Sequence, residues 1–389
     1  MVAVAIVADD LTGAFDSAAP FAARGAEAFV ASSARALDAA GADAAVLAVS
    51  TASRHLSAEA AAHAVGEACR ALAARSPRVW FKKIDSTLRG NVAAECVAAL
   101  AASGRQELVI TPATPAQGRV VRRGIVLVHG TPLAETEYVR DAVSPASPAA
   151  LADQLRTADP GLAVAVVDGT PDGGADGRRA WVADADSDEA LSRIAAWALA
   201  HADRVLMAGA AGFGTALAAA LFGAAAARPG VGALDGPIVY VVGSRASASR
   251  RQAERLAGAD CVCLDAPCGR LDAADAAARI AGRRAALVRV PDGARDAADP
   301  DAVARALGAG VAALLARARV GALLVTGGDV TAAVLAAIDQ PLVRVVGEVA
   351  PGIPLSRIAV GGRPLWLVIK AGGFGGDDLF ADLPRLLGG

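Results

Sequence analysis

VWFKKIDSTLRGN, residues 79–91, joins an apolar run to a dense group of polar side chains. The run VWFKK predicts a buried β-strand over residues 79–83, since short apolar segments are typical of parallel strands covered on both faces. The residues that follow supply a carboxylate, two hydroxyls, a guanidinium and an amide. In open parallel sheets, ligands bind at the carboxyl ends of the strands. We therefore predict that this stretch contains a sheet strand and the start of a binding site.

Lysine is scarce in this chain, and its positions support that interpretation. Of 38 cationic residues only three are lysine, namely Lys82, Lys83 and Lys370, and the single asparagine is Asn91. A compact ammonium is chemically different from a planar guanidinium fork, and phosphate or hydroxyl chemistry often requires the ammonium. We interpret both lysine positions as places where chemistry has overruled a composition that otherwise uses arginine. The alternative is chance placement.

The alternation of short apolar runs with alanine-rich stretches predicts an α/β fold. Hydrophobic residues make up 54% of the chain and aromatic residues only 4%, which suits layered packing of helices on sheets. A length of 389 residues favours two domains, and the Pro, Gly and Ala of residues 225–237 indicate a linker. We predict an N-terminal domain over residues 1–230 and a C-terminal domain over residues 237–389. Each is expected to be a mostly parallel sheet flanked by helices, with a ligand cleft between the two.

The predicted strands are nearly continuous in Val, Ile, Leu and Ala. In the first domain they cover residues 2–8, 45–49, 79–83, 107–111, 163–167 and 204–208. In the second domain they cover residues 238–242, 285–290, 322–325, 343–346 and 365–369. The predicted helices cover residues 58–74, 92–102, 188–201, 249–257, 301–316 and 330–337.

Composition and charge exclude several classes of function. The net charge is −2 and no basic stripe alternates with aromatic residues, so we expect no nucleic-acid partner. The apolar start VAVAIVADD lacks a basic leading region and is too short for a signal or a membrane span. We therefore expect a cytoplasmic protein with no membrane partner. Cys261, Cys263 and Cys268 lack the fourth ligand and the nearby histidine of a typical zinc site, so we expect free thiols.

A second polar group follows the first predicted strand, at Asp9 and Asp10 in ADDLTGA. Two carboxylates before a helix could accept hydrogen bonds from substrate hydroxyls, take a proton, or hold Mg²⁺. One of them could instead cap the helix, and both roles can coexist. Arg54 follows the predicted strand 45–49, at the equivalent end of a neighbouring strand.

The run after residue 83 is suited to a small, heavily oxygenated anion. Arg89 can bind a carboxylate through two parallel hydrogen bonds, and lysine or Asn91 can bind hydroxyls. Strand alternation directs Lys82 and Lys83 to opposite faces of the sheet, so we expect only one of them to contact the ligand directly. The sequence does not decide which.

Glycine-rich turns follow four predicted strands of the second domain. They are GSR from Gly243, TGGD from residue 326, GEVAPG from Gly347, and KAGGFGGDD from Lys370. Glycine lets the backbone approach phosphate oxygens, and a following helix N-terminus adds the positive end of a dipole. One such turn is weak evidence, but four occur in one domain, and Asp329 and Glu348 in two of them could position Mg²⁺. Together they favour a nucleotide site.

Other nucleotide motifs are missing. The chain has no Gly-Lys pair and therefore no G-x4-G-K-[ST] loop. No G-x-G-x-x-G follows the first strand with an acid about 20 residues further on, which weakens a dehydrogenase interpretation.

The motifs of this chain, in their order, resemble those of the four-carbon acid sugar kinases. They are ADDLTGA, KKIDSTLRGN, PATPAQGR, GSR, TGGD, GEVAPGIPLS and KAGGFG, and they span nearly the whole chain. The resemblance implies an N-terminal domain that binds the acid sugar and a C-terminal domain that binds ATP with Mg²⁺. It implies transfer of the γ-phosphate to the terminal hydroxyl of threonate, erythronate or a 3-oxo-tetronate.

The resemblance and the strand-end rule together assign expected roles. The expected catalytic residues are Asp10, Lys82 and Asp85. The expected substrate-binding residues are Asp9, Arg54, Lys83, Ser86, Arg89 and Asn91. Of these, Arg89 and Arg54 are expected to bind the carboxylate of the sugar acid. The expected nucleotide-binding residues are Ser244, Gly327, Gly328, Asp329, Glu348, Lys370, Gly372 and Gly373. Asp329 and Glu348 are the expected Mg²⁺ ligands, and the choice of base between Asp10 and Asp85 stays open.

Two other functions remain as alternatives. One is a non-catalytic sensor whose two lobes close on a sugar acid or a nucleotide, although binding alone rarely needs so many carboxylates around an anion. The other is an NAD-dependent sugar-acid dehydrogenase. We expect a small sugar acid as the partner and allow for a homodimer.

Overall fold

The chain forms two α/β units, Met1–Ala225 and Ala226–Gly389. The computed structural model describes residues 2–41, 43–140, 144–171, 177–226, 230–244, 246–257, 261–291 and 299–388. The boundary between the units lies at the start of the stretch predicted as a linker. The predicted fold class is confirmed, because both units consist of mostly parallel strands flanked by helices. Within the described ranges, no helix combines the length and apolar character that crossing a bilayer requires.

The first unit is built on parallel strands in the order β2-β3-β1-β4-β11-β5-β10-β9. These strands are β1 (Val4–Ala8), β2 (Ala28–Ala31), β3 (Val46–Ser50), β4 (Val79–Lys83), β5 (Glu107–Thr111), β9 (Ala163–Asp168), β10 (Arg179–Asp184) and β11 (Val205–Gly209). A separate antiparallel sheet contains β6 (Arg119–Arg122), β7 (Ile125–Val128) and β8 (Thr131–Pro132). The sequence did not predict β2, β10 or this small sheet.

Two layers of helices cover the sheet of the first unit. The helices are α1 (Leu11–Ala22), α2 (Ala58–Ala73), α3 (Val92–Ala102), α4 (Leu151–Ala158), α5 (Asp188–Ala200) and α6 (Ala211–Phe222). Helix α6 packs against α1 and α5, whereas α3 packs against α2 and α4. Coverage of both faces explains why the central strands are fully buried.

The strand order brings the polar runs of the first unit together. From β1 the chain passes to β2 and β3 on one side, and then crosses to β4 on the other side. Such a reversal is a topological switch point, where the carboxyl ends of the strands leave a crevice. Ala8 lies in register with Ser50 and Lys83, so the residues that follow all three strands emerge at the same edge.

The second unit has a switch point of its own. Its strands follow the order β13-β14-β12-β15-β18-β17-β16, with β12 between β14 and β15. They are β12 (Ile238–Val242), β13 (Val262–Asp265), β14 (Ala285–Arg289), β15 (Ala322–Thr326), β16 (Leu342–Ala350), β17 (Ile353–Val360) and β18 (Arg363–Lys370). The helices are α7 (Ser247–Ala257), α8 (Ala273–Ile280), α9 (Pro300–Arg317), α10 (Gly328–Ala337) and α11 (Leu379–Gly388).

One predicted glycine turn is different in the structure. We expected GEVAPG to follow a parallel strand, but Gly347 and Glu348 lie inside β16, which pairs antiparallel with β17. A shift of register near Gly347 lets the strand continue. Gly352 then adopts φ 71° in the turn between the two strands. The prediction of a strand-end phosphate turn at Gly347 is therefore wrong, because this glycine serves a β-bulge.

The packing of α9 against α10 depends on Gly308. A Cβ added at Gly308 would lie 2.6 Å from the backbone of Ala333. We expect Gly308→Ala to lower the free energy of unfolding by about 1–3 kcal/mol, because backbone atoms cannot give way easily. The matched control is Gly66→Ala in α2, where an added Cβ meets only the mobile end of Arg70 at 3.3 Å. That change should leave stability unchanged or raise it by up to about 1 kcal/mol. Urea unfolding measures both, and equal stabilisation by the two changes would contradict the close helix contact.

Candidate functional site

Asp10 caps the start of helix α1 and lies at the switch point of the first unit. Its Oδ1 accepts a hydrogen bond from the Gly13 N–H at 2.7 Å, and its Oδ2 accepts one from the Thr12 hydroxyl at 2.8 Å. A Cβ at Gly13 would lie 2.5 Å from this Oδ1 and 3.3 Å from Lys83 Nζ. The capping role considered for one of the two acids therefore belongs to Asp10.

Arg54 is bound by both carboxylates that follow β1. Its Nε and Nη2 donate to Asp9 at 2.7 and 3.0 Å, and its Nη1 lies 2.9 Å from Asp10 Oδ2. Burial disfavours the charged form of both Asp9 and Arg54. The attraction between Arg54 and its carboxylate partners outweighs this cost, so the pKa of Asp9 is lowered and the pKa of Arg54 is raised. Two protein carboxylates thus neutralise Arg54, which disfavours its predicted role as a ligand for a substrate carboxylate. Arg54 instead positions Asp9 and Asp10.

Lys82 and Lys83 point to opposite faces, as strand alternation predicted. The Lys82 ammonium has no exposed surface and lies 2.8 Å from Glu95 Oε2 of α3. Lys83 Nζ lies 3.7 Å from Asp16 Oδ2 of α1. Burial alone would lower the pKa of Lys82, but Glu95 and Asp9 raise it. Lys82 is therefore committed inside the protein, and Lys83 is the better candidate for contact with a ligand.

Glu95 is a residue that the sequence analysis missed. Its Oε1 accepts a hydrogen bond from the Ser53 hydroxyl at 2.6 Å while its Oε2 binds Lys82. It therefore ties β4 to the loop after β3. The available signal was a single carboxylate in the otherwise apolar helix VAAECVAALAA.

Asp85 and Arg89 form a paired unit within the loop after β4. The Arg89 Nε and Nη2 donate to the two Asp85 oxygens at 3.0 and 2.9 Å, and the Thr87 N–H donates to Oδ2 at 3.1 Å. Burial raises the pKa of Asp85, but Arg89 outweighs it and holds the pKa well below its usual range. Both oxygens of Asp85 are thus occupied by the guanidinium of Arg89. Asp10 meets Arg54 through one nitrogen only, and its side chain keeps 19% of its surface exposed against 12% for Asp85. The geometry therefore favours Asp10 over Asp85 in the choice that the sequence left open.

The remaining predicted substrate residues are held by neighbouring loops. Asn91 Nδ2 donates to the Leu56 carbonyl at 2.9 Å, so its amide fixes the loop after β3. Ser86 Oγ accepts a hydrogen bond from Arg119 Nη1 at 2.9 Å. Arg119, which ends the PATPAQGR motif, and Tyr138 are brought to this site without having been predicted.

Asp16 adds a further buried carboxylate to the site. The Ser17 hydroxyl donates to its Oδ1 at 3.0 Å, and Lys83 lies on its other side. Burial outweighs the attraction of Lys83 and raises the pKa of Asp16 to about 6. This carboxyl therefore titrates within an easily measured pH range.

At the switch point of the second unit, glycines allow close approach of three loops. A Cβ at Gly243 would lie 2.2 Å from Val330 Cγ2, and one at Gly372 would lie 2.1 Å from Ser244 Oγ. Gly327 adopts φ 95° immediately before α10 and has no side chain with which to cap it. The first amides of α10 are thus suited to an anion. Arg245 of the GSR motif lies outside the described residues.

Lys370 is fully buried below the loop that it begins. Its Nζ donates to Ser249 Oγ and to the carbonyls of Ala371, Gly372 and Phe374, all within 2.9–3.1 Å. Burial lowers the pKa of Lys370 to about 7. Its ammonium is used inside the protein, which disfavours direct contact with a nucleotide. Lys370 instead shapes the loop that presents Gly372 and Gly373.

Gln252 of α7 completes the support of this loop and was not predicted. Its Nε2 lies 2.9–3.2 Å from the carbonyls of residues 374–376. The available signal was a single amide in the strongly charged helix SASRRQAERLA, and the structure shows that this amide is buried.

The two predicted magnesium ligands differ in their surroundings. Asp329 is exposed in the first turn of α10, whereas Glu348 Oε1 accepts a hydrogen bond from the Gly352 N–H at 3.0 Å. Across the described part of the chain, no group of three or more His, Cys, Asp or Glu residues could hold a metal. A single exposed carboxylate such as that of Asp329 suits a metal ion that enters together with a nucleotide. It is less suited to a metal ion that the protein binds permanently.

Two cavities lie away from both switch points. One of about 310 Å³ is bordered by Arg122, Asp184 and Arg193, and one of about 260 Å³ by Asp235 and Arg363. Neither contains a predicted site residue. Chemistry and strand order, not cavity volume, therefore identify the candidate sites.

The Lys82–Glu95 pair generates a test of its structural role. We expect Glu95→Ala to lower the free energy of unfolding by about 3–5 kcal/mol, because it leaves a buried ammonium without a partner. The double variant Lys82→Met with Glu95→Leu removes both charges and should recover much of that loss. Glu67→Ala removes an exposed partner of His63 on α2 and should have little effect. Urea unfolding compares the variants. A double variant less stable than Glu95→Ala would contradict this role.

Asp16 generates a test that depends on pH. Because its folded pKa of about 6 exceeds the ordinary value of 3.8, the folded state binds more protons between these two values. The stability contributed by this group is therefore complete below the ordinary value and is lost as the pH rises through 6, by about 3 kcal/mol in total. Asp16→Asn lacks this loss. The free energy of unfolding of the variant should therefore rise relative to that of the wild type as the pH increases from 4.5 to 7.5. Urea unfolding across this range measures the difference, with Asp153→Asn on the exposed face of α4 as the control. A difference that does not change with pH would contradict the raised pKa.

Comparison with known proteins assigns a domain family to each of the two units. A sugar-binding N-terminal domain family matches residues 4–217, and a nucleotide-binding C-terminal domain family matches residues 239–380. The D-threonate kinase of Salmonella typhimurium is 33% identical, with 97% of this chain and 96% of the relative aligned. The 3-oxo-tetronate kinase of Cupriavidus necator is 30% identical, with 78% and 77% aligned.

A solved structure from Salmonella typhimurium LT2 shares the fold. It covers 99% of each chain with a TM-score of 0.81 at 20% identity, which is evidence for the fold alone. The matched domains and the curated relatives confirm the resemblance that the motifs indicated. The chain therefore belongs to the four-carbon acid sugar kinase family.

Proposed function

We propose that this protein uses ATP and Mg²⁺ to phosphorylate the terminal hydroxyl of a four-carbon sugar acid of the threonate, erythronate or 3-oxo-tetronate class. The observation that carries the proposal is the uncapped, glycine-lined start of α10 in the unit that matches a nucleotide-binding domain. The charged switch point in the unit that matches a sugar-binding domain supports it. The names of the curated relatives support the sugar-acid class.

On the sugar side, Asp10 is the proposed base. Thr12 and Arg54 fix its carboxylate, and its side chain keeps 19% of its surface exposed. A carboxylate held in this way can orient a hydroxyl and accept its proton as phosphate transfers. Lys83 would bind substrate oxygens from the α1 side of β4.

On the nucleotide side, backbone amides are the proposed ligands. Those at the start of α10, from Gly328 on, and in the loop with Gly372 and Gly373 would bind phosphate oxygens. The N–H groups of Ser244 and Gly327 already donate to Thr326 Oγ1 and to the Lys370 carbonyl, so these two residues shape the turns around that site. Lys370 holds that loop from below. When bound, Mg²⁺ neutralises charge on the transferring phosphate. Asp329 is its proposed ligand, with Glu348 as a second.

The test is ADP release from ATP and Mg²⁺ in the presence of threonate, erythronate and 3-oxo-tetronate stereoisomers. We expect one class of acid to stimulate release. Asp10→Asn should lower kcat roughly 100-fold or more, as loss of a general base does, with folding intact. The control is Asp153→Asn, which lies outside the proposed site.

Other outcomes of this experiment separate the alternatives. Binding of a sugar acid without ADP release would support a sensor. A change in reduced-nicotinamide absorbance with NAD would support a dehydrogenase. Normal turnover by Asp10→Asn would exclude Asp10 as the base and make Asp16 the next residue to test.

A further inference from the structure

Arg119 differs from every other cation of the sugar-side site in its partners. Its Nη1 donates to Ser86 Oγ at 2.9 Å and to Gln117 Oε1 at 2.6 Å, and its Nη2 lies 3.5 Å from the Tyr138 hydroxyl. All three partners are neutral. Within the part of the chain that the structure describes, Arg119 forms no ion pair with a carboxylate.

The other four cations are each bound to an acid of the protein. Lys82 is paired with Glu95 and Lys83 with Asp16. Arg54 is bound by Asp9 and Asp10, and Arg89 by Asp85. A sugar acid needs a cation that no protein carboxylate has already neutralised, and Arg119 meets this requirement.

The Arg119 guanidinium also has an unused donor. Its Nε is buried and, among the residues that the structure describes, has no hydrogen-bond partner. A buried donor without a partner is costly, and the cost is recovered when a ligand supplies the acceptor. A planar carboxylate can accept two parallel hydrogen bonds from a guanidinium, which a hydroxyl cannot.

Arg119 is held firmly in place before any ligand binds. It begins β6, and its backbone exchanges hydrogen bonds with Thr114 at 2.8 and 3.3 Å. Its Cζ lies 6.0 Å from the centre of the Tyr138 ring, and the Arg89 Cζ lies 5.9 Å from the same ring. The aromatic face attracts both guanidinium groups and keeps them near one another.

We propose that Arg119, beside the hydroxyls of Ser86 and Tyr138, binds the carboxylate of the sugar acid. This inference rests on the proposed function and replaces the expectation that Arg89 and Arg54 bind that carboxylate. Those two arginines position Asp85 and the pair Asp9 and Asp10. The subsite makes the enzyme selective for acids over neutral sugars of the same length.

The experiment compares the preferred sugar acid with its neutral primary amide. We expect Arg119→Gln to raise the KM for the acid roughly 10- to 100-fold, the value of a hydrogen bond to a charged group, and to leave the KM for ATP unchanged. The preference for the acid over the amide should disappear. Arg119→Lys keeps the positive charge but cannot form two parallel hydrogen bonds with a carboxylate. This variant should retain part of the preference for the acid. It is also the second variant should Arg119→Gln fail to fold.

The matched control is Arg122→Gln on the same strand. Arg122 is exposed and pairs with Asp186, outside the subsite. This variant should keep the wild-type KM for the acid. If folded Arg119→Gln retains the wild-type preference for the acid, or if Arg122→Gln loses it equally, Arg119 does not bind the carboxylate.

Direct binding separates this inference from the proposed reaction. Calorimetry measures threonate binding to the wild type and to Arg119→Gln without ATP. Binding that depends on Arg119, in a protein that phosphorylates no sugar acid, would support the subsite and overturn the kinase proposal. Turnover of a sugar acid with no dependence on Arg119 would overturn the subsite alone. A wild type that neither binds nor phosphorylates any four-carbon acid would overturn both.

Discussion

The pairing of buried charges at the first switch point is the constraint on which the sugar-side site depends. Lys82 and Glu95 have almost no exposed surface and meet at 2.8 Å. Separate burial of either charge would be far more costly than burial of the pair. The pair therefore links β4, α3 and, through Ser53, the loop after β3. Asp9 and Arg54 link the ends of β1 and β3 in the same way.

The local sequence was enough to predict the strands and the helix around this network. It was not enough to predict which charged side chains pair with one another. The bounds of β4, β5 and α3 are those predicted, because each is an apolar run with a clear polar end. Glu95 could not be assigned, since its partner lies on another element and only the packing of α3 on the sheet joins them. Arg119 reaches Ser86 through a small antiparallel sheet that no periodicity indicated.

Glycine was the least informative signal because it serves two unrelated needs. Gly372 permits close contact with Ser244 at a switch point, whereas Gly352 turns a hairpin and Gly347 lies at a bulge. The sequence treats these glycines alike. Lys370 shows the same ambiguity for a charged residue. Its scarcity marked it correctly as unusual, but its bonds to three carbonyls and a hydroxyl give it a structural task.

The balance of charges also limits how such a site can bind an anion. Asp9, Asp10, Asp16, Asp85 and Glu95 would repel a sugar acid if the protein left them unpaired. Paired cations cancel that repulsion and hold the loops, but for the same reason they have little attraction left for a ligand. Affinity for the acid must then come from a cation outside these pairs, fixed in advance so that little entropy is lost on binding. Among the described residues around this switch point, Arg119 has that combination of neutral partners, a free buried donor and a backbone held in a sheet.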